Sequence, residues 1–333
     1  MIRRFLAGAA LGAFFLWLAL KDVAFAEVAA NLGRVSLAAF GLFVLMHLGS
    51  LWLRAVRWAV LVRPLAPVPP ARLVPPLAIG FMVNFILPAR LGEIVRVWLL
   101  GRTGLVSASA AFGSVVVERL TDVFALLCMV AITPFFLGGE GSELIARVRW
   151  LTPLLIAGYL GAVGALALFG HHRGAIEGFL TRHPAVRRRP ILMRAVGLVG
   201  KFAEGLAVLK SGRQVAIAAL LSLALWGWAG LANLVMLRAF GLDLPPFAPF
   251  LLLILQAAGF LVPVPGALGP FQYASVVALG VYGVAKGEAL AFALITHTGL
   301  FVAVLAPGLL FAAREHLGLK EIRSAAGEAR PEA

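Results

Sequence analysis

The sequence predicts an all-α membrane protein with several transmembrane helices, and three observations lead to that fold class. Hydrophobic residues make up 62% of the 333 residues and charged residues 13%, whereas a soluble domain has about 45–50% and about 25%. The mean hydropathy is +0.98, and apolar windows of spanning length recur along the chain. A soluble protein has too little interior to bury so much apolar surface, so lipid must cover it.

About six windows are long enough to cross a bilayer. The first follows Arg3 and Arg4, and Ala24-Phe25-Ala26 after it resembles a signal-peptide cleavage site. Lys21 and Asp22 separate that site from the apolar window, which favours a retained first helix over a removed signal peptide. The six windows are residues 5–20, 36–58, 109–137, 149–170, 214–240 and 288–313.

Two further apolar stretches, residues 73–87 and 247–262, end in breaks rich in proline and glycine. Each holds about 15 residues, or about 23 Å of helix, which is short of a 30 Å hydrocarbon core. Broken backbone at that depth survives only inside protein or beside a wet cavity. We therefore predict two re-entrant hairpins, the second returning through residues 271–283. Their breaks contain Pro88 and Gly92 in the first, and Pro263, Pro265, Gly266 and Gly269 in the second.

The two breaks resemble each other. Gly80-Phe81 precedes the first and Gly259-Phe260 the second, and Pro88-x-x-Leu91-Gly92 matches Pro265-x-x-Leu268-Gly269. This predicts two copies of one unit, each crossing the membrane three times, and an odd number of crossings inverts the second copy. We expect one transmembrane domain over residues 1–313 and a cytoplasmic tail over 314–333. Within that domain the repeats would be 1–140 and 149–313, with a basic connector at 171–213.

The net charge of +14 and the pI near 11.3 fit basic cytoplasmic loops better than a nucleic-acid partner. With the amino terminus inside, the predicted inner segments are rich in arginine and the outer ones are neutral or acidic. This predicts a multi-pass protein of the cell (inner) membrane with both termini cytoplasmic. Residues 190–210 have near-helical apolar spacing, which suits either an amphipathic helix on anionic lipid or a positively charged connector.

Charged side chains near the first break are the main candidates for a site that binds substrate. Each charge inside a span costs about 2.5–3.5 kcal/mol, so such residues point to function. Glu118 and Asp122 share one helical face. If the hairpin packs there, Arg90 or Arg96 meets a carboxylate while another arginine stays free for a lipid phosphate; the alternative is that all these ions pair and hold the hairpin. The candidates are Asn84, Arg90, Glu93, Arg96, Glu118, Arg119 and Asp122.

Five further residues are weaker candidates. Arg54, Arg57 and Trp58 end the second window, where interfacial anchoring is the simpler explanation. His297 lies in the last window between threonines, which is more typical of a hydrogen-bond partner in helix packing than of a ligand. Gln272 follows the second break and is predicted to line the same cavity.

No cofactor or metal is expected. The single cysteine, Cys128, excludes a disulfide framework, a CxxC redox pair and a cysteine-based metal site. The chain lacks a Walker loop, a dinucleotide fingerprint, HExxH and GxSxG, and its outer loops are too short for a catalytic domain.

The segment Asn84-Phe85-Ile86-Leu87-Pro88-Ala89-Arg90-Leu91-Gly92-Glu93-Ile94-Val95-Arg96, followed by Val117-Glu118-Arg119-Leu120-Thr121-Asp122, resembles a known family. It is similar to the lysylphosphatidylglycerol synthase transmembrane region, also called the flippase-like domain family. Residues 263–269 resemble its second motif, and Arg54-x-x-Arg57-Trp58 its early basic-aromatic one. The chain departs from the family at two positions. Gln272 stands where the family often has an acidic residue, and His297 stands near the place where a basic residue is common in the last span.

The resemblance implies movement of lipids or lipid-linked molecules between leaflets. Fused members of the family carry an attached synthase domain, which this sequence lacks. We therefore expect a flippase or translocase, not an enzyme, whose partners are membrane lipids with an anionic headgroup, and the sequence allows a homo-oligomer. Two alternatives remain. One is a polyprenyl-phosphate-dependent transferase with Glu93 and Asp122 as acid–base residues, and the other is a scaffold that recruits a partner through residues 171–213.

Overall fold

The protein is helical throughout the part that the structure, a computed structural model, describes: residues 2–87, 91–136, 142–183, 190–318 and 321. No strand occurs in these residues, as the fold class predicts. Short 3-10 helices cover Leu206–Lys210 and Pro265–Ala267. The α-helices are α1 (Ile2–Leu20), α2 (Phe25–Leu32), α3 (Leu37–Val62), α4 (Pro70–Ile86), α5 (Gly92–Arg102), α6 (Ala108–Phe136), α7 (Ser142–Arg182), α8 (Pro190–Gly205), α9 (Gly212–Ala239), α10 (Ala248–Leu261), α11 (Pro270–Gly280) and α12 (Lys286–Arg314).

The structure supports four or five membrane spans among the described residues. Helices α3, α9 and α12, together with Trp150–His172 of α7, are long and apolar enough to cross a bilayer. Gly8–Leu20 of α1 and all of α2 pass the same test together but are bent by 89°. The remaining predicted window, 109–137, coincides with α6, whose 29 residues extend about 43 Å, but which has Glu118, Arg119 and Asp122 in its middle.

Both predicted interruptions are present as pairs of short helices. Helix α4 has 17 residues and α10 has 14, or about 26 Å and about 21 Å, and both are too short to cross a 30 Å core. After each break an 11-residue helix, α5 or α11, packs back against its partner. Glycine makes this packing close, because a Cβ added at Gly92 would lie 1.8 Å from the Gly80 carbonyl oxygen. Pro88 and Arg90 lie outside the described residues.

Helices α3 to α6 and α9 to α12 follow one pattern of a long helix, two short helices and a long helix. The long helices have 26 and 29 residues in the first set and 28 and 29 in the second. The contacts between the two sets also correspond. The first helix of each set packs on the last helix of the other, α3 on α12 and α9 on α6, and the helix before each set packs in the same way, α2 on α12 and α8 on α6. Two similar units related by a twofold axis would have this contact pattern.

Two further helices, α1 and α8, pack against the two sets of helices. Helix α1 packs on the second break, where a Cβ added at Gly269 would lie 2.1 Å from the Gly12 carbonyl oxygen. Gly269 also has a φ of 98°, which favours glycine. The predicted helix within residues 190–210 forms as α8 and the 3-10 helix after it. It packs on α6 and α7 and buries Val196, Ala203, Leu206 and Val208, so protein covers much of its apolar face.

Candidate functional site

Six charged side chains from α3, α5 and α6 form one ion-paired group, which we call the charged cluster: Arg57, Glu93, Arg96, Glu118, Arg119 and Asp122. Glu118 is its centre, since its carboxylate lies 3.2 Å from the guanidinium groups of both Arg57 and Arg96 and also pairs with Arg119. The cluster therefore joins the returning limb of the first hairpin to two long helices.

Asp122 forms the second anionic centre of the charged cluster, one helical turn after Glu118. It pairs with Arg57 and lies 3.2 Å from Nη1 of Arg119. The indole Nε1 of Trp226 on α9 donates to it at 3.3 Å, and Arg57 Nη1 donates to Ser222 Oγ on the same helix at 2.7 Å. Through Ser222 and Trp226 the charged cluster also reaches the second set of helices.

The charged cluster is buried and its charges balance. The side chains of Arg57, Arg96 and Glu118 are 2% exposed or less, and Arg119 is 32% exposed. Three arginines face three carboxylates, so the group contributes no net charge. Because an unpaired buried charge costs several kcal/mol, this balance lets six ionised side chains coexist inside an apolar bundle.

A second polar group, which we call the uncharged network, consists of Asn233, Gln256, Gln272, Ser275 and His297 on α9 to α12. Asn233 Nδ2 donates to Gln256 Oε1 at 3.1 Å, and Gln256 Nε2 donates to Ser275 Oγ at 3.1 Å. Separately, the Gly269 N–H donates to Gln272 Oε1 at 2.7 Å. These hydrogen bonds join the two limbs of the second hairpin to each other and to its break.

Hydrogen bonds of the second break fix the protonation of His297. Gln272 Oε1 accepts from Gly269, so its Nε2 donates to His297 Nδ1 at 2.7 Å. The other ring nitrogen, Nε2, then donates to the Gly266 carbonyl at 2.8 Å. The imidazole is therefore neutral with its hydrogen on Nε2, and it stacks on Phe271 with ring centres 4.6 Å apart.

The two breaks meet inside the bundle. The rings of Phe85, at the end of α4, and Phe260, at the end of α10, have centres 5.8 Å apart. A Cβ added at Gly266 would lie 3.3 Å from the Phe85 carbonyl oxygen. The second hairpin thus reaches the end of the first.

A cavity of about 170 Å³ lies beside these breaks, between α3, α9 and α10. Arg54 is the cationic residue of its described lining, and His47, Ser50, Asn233 and Gln256 supply other polar groups. Its lining contains no carboxylate among the described residues. The rest of the wall is aromatic or aliphatic, including Phe43, Trp226, Trp228 and Phe260.

The structure brings most of the predicted site residues together but changes the place of several. Arg96 meets Glu118, and the other described charged candidates, Glu93, Arg119 and Asp122, are also ion-paired, which is the arrangement of the alternative in which these ions pair with one another. Asn84 accepts from the Gly92 N–H at 2.8 Å, so it bridges the first break. Gln272 is buried in the uncharged network and does not line the cavity beside Arg54, contrary to the prediction that it lines a cavity shared with the first break.

Interfacial anchoring of Arg57 and Trp58 is wrong. Both side chains are fully buried, Arg57 in the charged cluster and Trp58 against Ser114, to which its Nε1 donates at 3.0 Å. Arg54, on the same helix, has no ion-pair partner among the described residues. His297 acts as a hydrogen-bond partner in packing, as its sequence context indicates.

Sequence reasoning missed several polar residues that complete the site. Asn233 and Gln256 are amide side chains inside apolar windows, and that placement was a usable signal. His47, an ionisable side chain inside the window 36–58, was a usable signal as well, whereas Ser222 and Trp226 gave none. Among the described residues no group of three or more His, Cys, Asp or Glu side chains could hold a metal ion.

Comparison with protein-family models gives one match, to the lysylphosphatidylglycerol synthase TM region, over residues 5–308. This range contains both breaks, the charged cluster and the uncharged network. Comparisons with curated proteins and with solved structures give no match.

Proposed function

Since the chain belongs to the lysylphosphatidylglycerol synthase transmembrane-region family, we propose that it moves a phospholipid or a lipid-linked molecule between the leaflets of the cell membrane. The observation that carries this proposal is the meeting of two interrupted helices inside the bundle. Phe85 and Phe260, one from each hairpin, lie in contact there. Transporters place binding sites at such breaks, where unwound backbone lines a cavity.

An inverted arrangement of the two repeats would give the cavity access to each leaflet in turn. The basic inner and neutral outer loops support a cytoplasmic position for both termini, with the hairpins entering from opposite sides. The exchanged contacts of α3 with α12 and of α9 with α6 support a twofold relation. In this proposal residues 1–140 and 149–313 move relative to each other, and the segments 171–213 and 314–333 lie in the cytoplasm.

The pairing of the carboxylates supports transport over a transferase reaction. An acid–base residue needs a proton that it can exchange with the substrate. Glu93 instead lies 3.6 Å from Nε of Arg119, and Asp122 pairs with Arg57 and Arg119. Ion pairs of this kind position the hairpin on the bundle.

The direct test is transfer of a fluorescent phospholipid between leaflets of proteoliposomes, followed by chemical quenching of the outer leaflet. Gly266→Ala and Gly241→Ala form a matched pair. Both glycines have positive φ, at 57° and 75°, but only an alanine at position 266 would press on Phe85 and Phe301, while Gly241 faces open space. We expect the wild type and Gly241→Ala to accelerate transfer and Gly266→Ala to be slower.

Two outcomes would contradict the proposal. A transfer rate for the wild type equal to that of protein-free liposomes would exclude translocation of the lipids tested. Equal rates for the two glycine variants would exclude a role for the contact between the breaks. A covalently altered lipid, detected by mass spectrometry of the extracted membranes, would favour the transferase instead.

A further inference from the structure

Within the part of the chain that the structure describes, Arg54 is a cation without an ion-pair partner. Its guanidinium makes no hydrogen bond or ion pair with any described residue, and its central carbon lies 5.2 Å from the centre of the Phe81 ring. Three other arginines nearby are neutralised within the charged cluster. A single uncompensated charge in an apolar bundle is costly, so its presence points to a function.

The charge of Arg54 makes the cavity beside it suit an anion better than a cation. Among the described residues its lining contains no carboxylate. Trp226 Nε1 already donates to Asp122, and Trp228 Nε1 donates to the Met46 carbonyl. The Gln256 amide is also engaged, on Asn233 and Ser275. Arg54 is therefore the cationic donor that the described lining leaves available.

The charge balance indicates a ligand with one negative charge. Among the described residues the charged cluster is neutral, so Arg54 contributes a net charge of one beside the cavity. A phosphodiester carries one negative charge, whereas a phosphomonoester carries about 1.5 to 2 at neutral pH. A monoanion would neutralise Arg54 completely, and a dianion would leave excess negative charge in an apolar wall.

The size of the cavity limits what enters it. At about 170 Å³ it is smaller than the roughly 300–1,000 Å³ of a site for a drug-sized molecule. A phosphate group fits this space, while acyl chains would have to stay outside in the bilayer.

We propose that the cavity beside Arg54 binds the phosphodiester group of a lipid, with the guanidinium of Arg54 as its principal contact. This names the substrate class of the translocase and so rests on the proposed function. Trp226 connects the site to the charged cluster, because its ring lines the cavity and its Nε1 donates to Asp122.

The experiment measures lipid binding to the full-length protein in detergent by native mass spectrometry. The lipid probes are phosphatidylglycerol as the monoanionic diester, phosphatidic acid as the monoester and diacylglycerol as the lipid without phosphate. The variants are Arg54→Gln and Arg54→Lys, with Arg63→Gln as the matched control. Arg63 lies at the end of the same helix, is exposed and does not line the cavity.

We expect the wild type to bind phosphatidylglycerol, to bind phosphatidic acid no more tightly and to bind no diacylglycerol. Arg54→Gln should weaken phosphatidylglycerol binding by at least about tenfold, as loss of one charged contact predicts. Arg54→Lys should bind at an intermediate level because it keeps the charge without the planar fork. Arg63→Gln should bind as the wild type does.

A structural role for Arg54 would give a different result. Removal of an unpaired charge should leave the melting temperature of lipid-free Arg54→Gln unchanged or raise it, whereas a residue needed for packing would lower it. Equal phosphatidylglycerol binding by wild type and Arg54→Gln would overturn the proposal. Tighter binding of phosphatidic acid by about tenfold would overturn the assignment to a monoanion.

Soluble anions separate the two sources of a phosphate group. Diethyl phosphate and inorganic phosphate are added as competitors, and we expect neither to displace phosphatidylglycerol at equal concentration. Displacement by either one would overturn the lipid as ligand and indicate a soluble anion. If phosphatidylglycerol binding depends on Arg54 but no lipid moves between leaflets, the binding site is supported and only the proposed translocation is rejected.

Discussion

Helices α6 and α12 occupy corresponding places in the two sets of helices, have the same length of 29 residues and differ in charge. Counted from their first residues, Glu118 corresponds to Thr296 and Arg119 to His297. The first helix forms the centre of the charged cluster, while His297 on the second belongs to the uncharged network. Two similar frameworks are thus held together by different kinds of polar contact.

The difference teaches where the molecule can rearrange. In the second break each donor has one acceptor, from Gly269 through Gln272 and His297 to Gly266, so any movement breaks a bond without replacement. In the charged cluster, Nε of Arg57, Arg96 and Arg119 has no hydrogen-bond partner in the described structure. Arginines with spare donors can exchange carboxylates, so we assign mobility to the first half and anchoring to the second.

The largest expected effect is from Glu118→Gln, which removes the carboxylate that three arginines share. Loss of one partner from a buried ion pair costs about 3–5 kcal/mol, so the melting temperature in detergent should fall sharply. Glu288→Gln is the control. Glu288 pairs with Arg34 at 3.3 Å, but the Arg34 side chain is 60% exposed, and such pairs contribute about 0–1 kcal/mol. Equal losses in the two variants would reject the central role of Glu118.

The membrane class and the two interruptions were predictable from sequence because hydropathy and segment length determine them locally. The windows 36–58 and 214–240 match α3 and α9 within a few residues. Helix α2 was missed because it has only eight residues, too few for a spanning window. The inverted orientation of the repeats stays a prediction.

The site was predictable only in part because burial of a polar side chain depends on distant partners. Glu118 and Asp122 could be placed on one face from their spacing. Arg57 stands near the end of α3, which is typical of an interfacial anchor, but it is buried because it pairs with Glu118, Asp122 and Ser222, which are far away in sequence. No local pattern distinguishes it from Arg54, whose side chain lines the cavity instead.

The second prediction compares close packing in the two hairpins. Gly92→Ala places a Cβ 1.8 Å from the Gly80 carbonyl oxygen, and Gly259→Ala places one 2.9 Å from that of Pro270. Overpacking costs about 1–3 kcal/mol, so both should lower the melting temperature, Gly92→Ala by more. Gly227→Ala faces open space in a helix and should cause no loss. The reverse order for the hairpin variants would show that the second hairpin is packed more tightly.

The third prediction concerns the uncharged network. Gln272→Ala removes the acceptor for the Gly269 N–H and the donor for His297 Nδ1, so two buried groups lose their partners. An unsatisfied buried group costs about 1–3 kcal/mol. The melting temperature should fall, but by less than in Glu118→Gln. A larger fall in Gln272→Ala would show that the hydrogen bonds of the second break stabilise the fold more than the charged cluster does.

The smallest expected effects separate the two polar groups most sharply. Ser222 accepts from the Arg57 guanidinium at 2.7 Å, whereas Ser275 accepts from the neutral Gln256 amide at 3.1 Å. Hydrogen bonds to charged groups contribute about 1.5–3 kcal/mol and neutral ones about 0.5–1.5 kcal/mol. Ser222→Ala should therefore lower the free energy of unfolding more than Ser275→Ala, unless Arg57 moves to another carboxylate oxygen. Equal losses of unfolding free energy in the two alanine variants would show such a rearrangement and support mobility of the charged cluster. A smaller loss in Ser222→Ala than in Ser275→Ala would contradict the expectation that the hydrogen bond to the charged group is the stronger one.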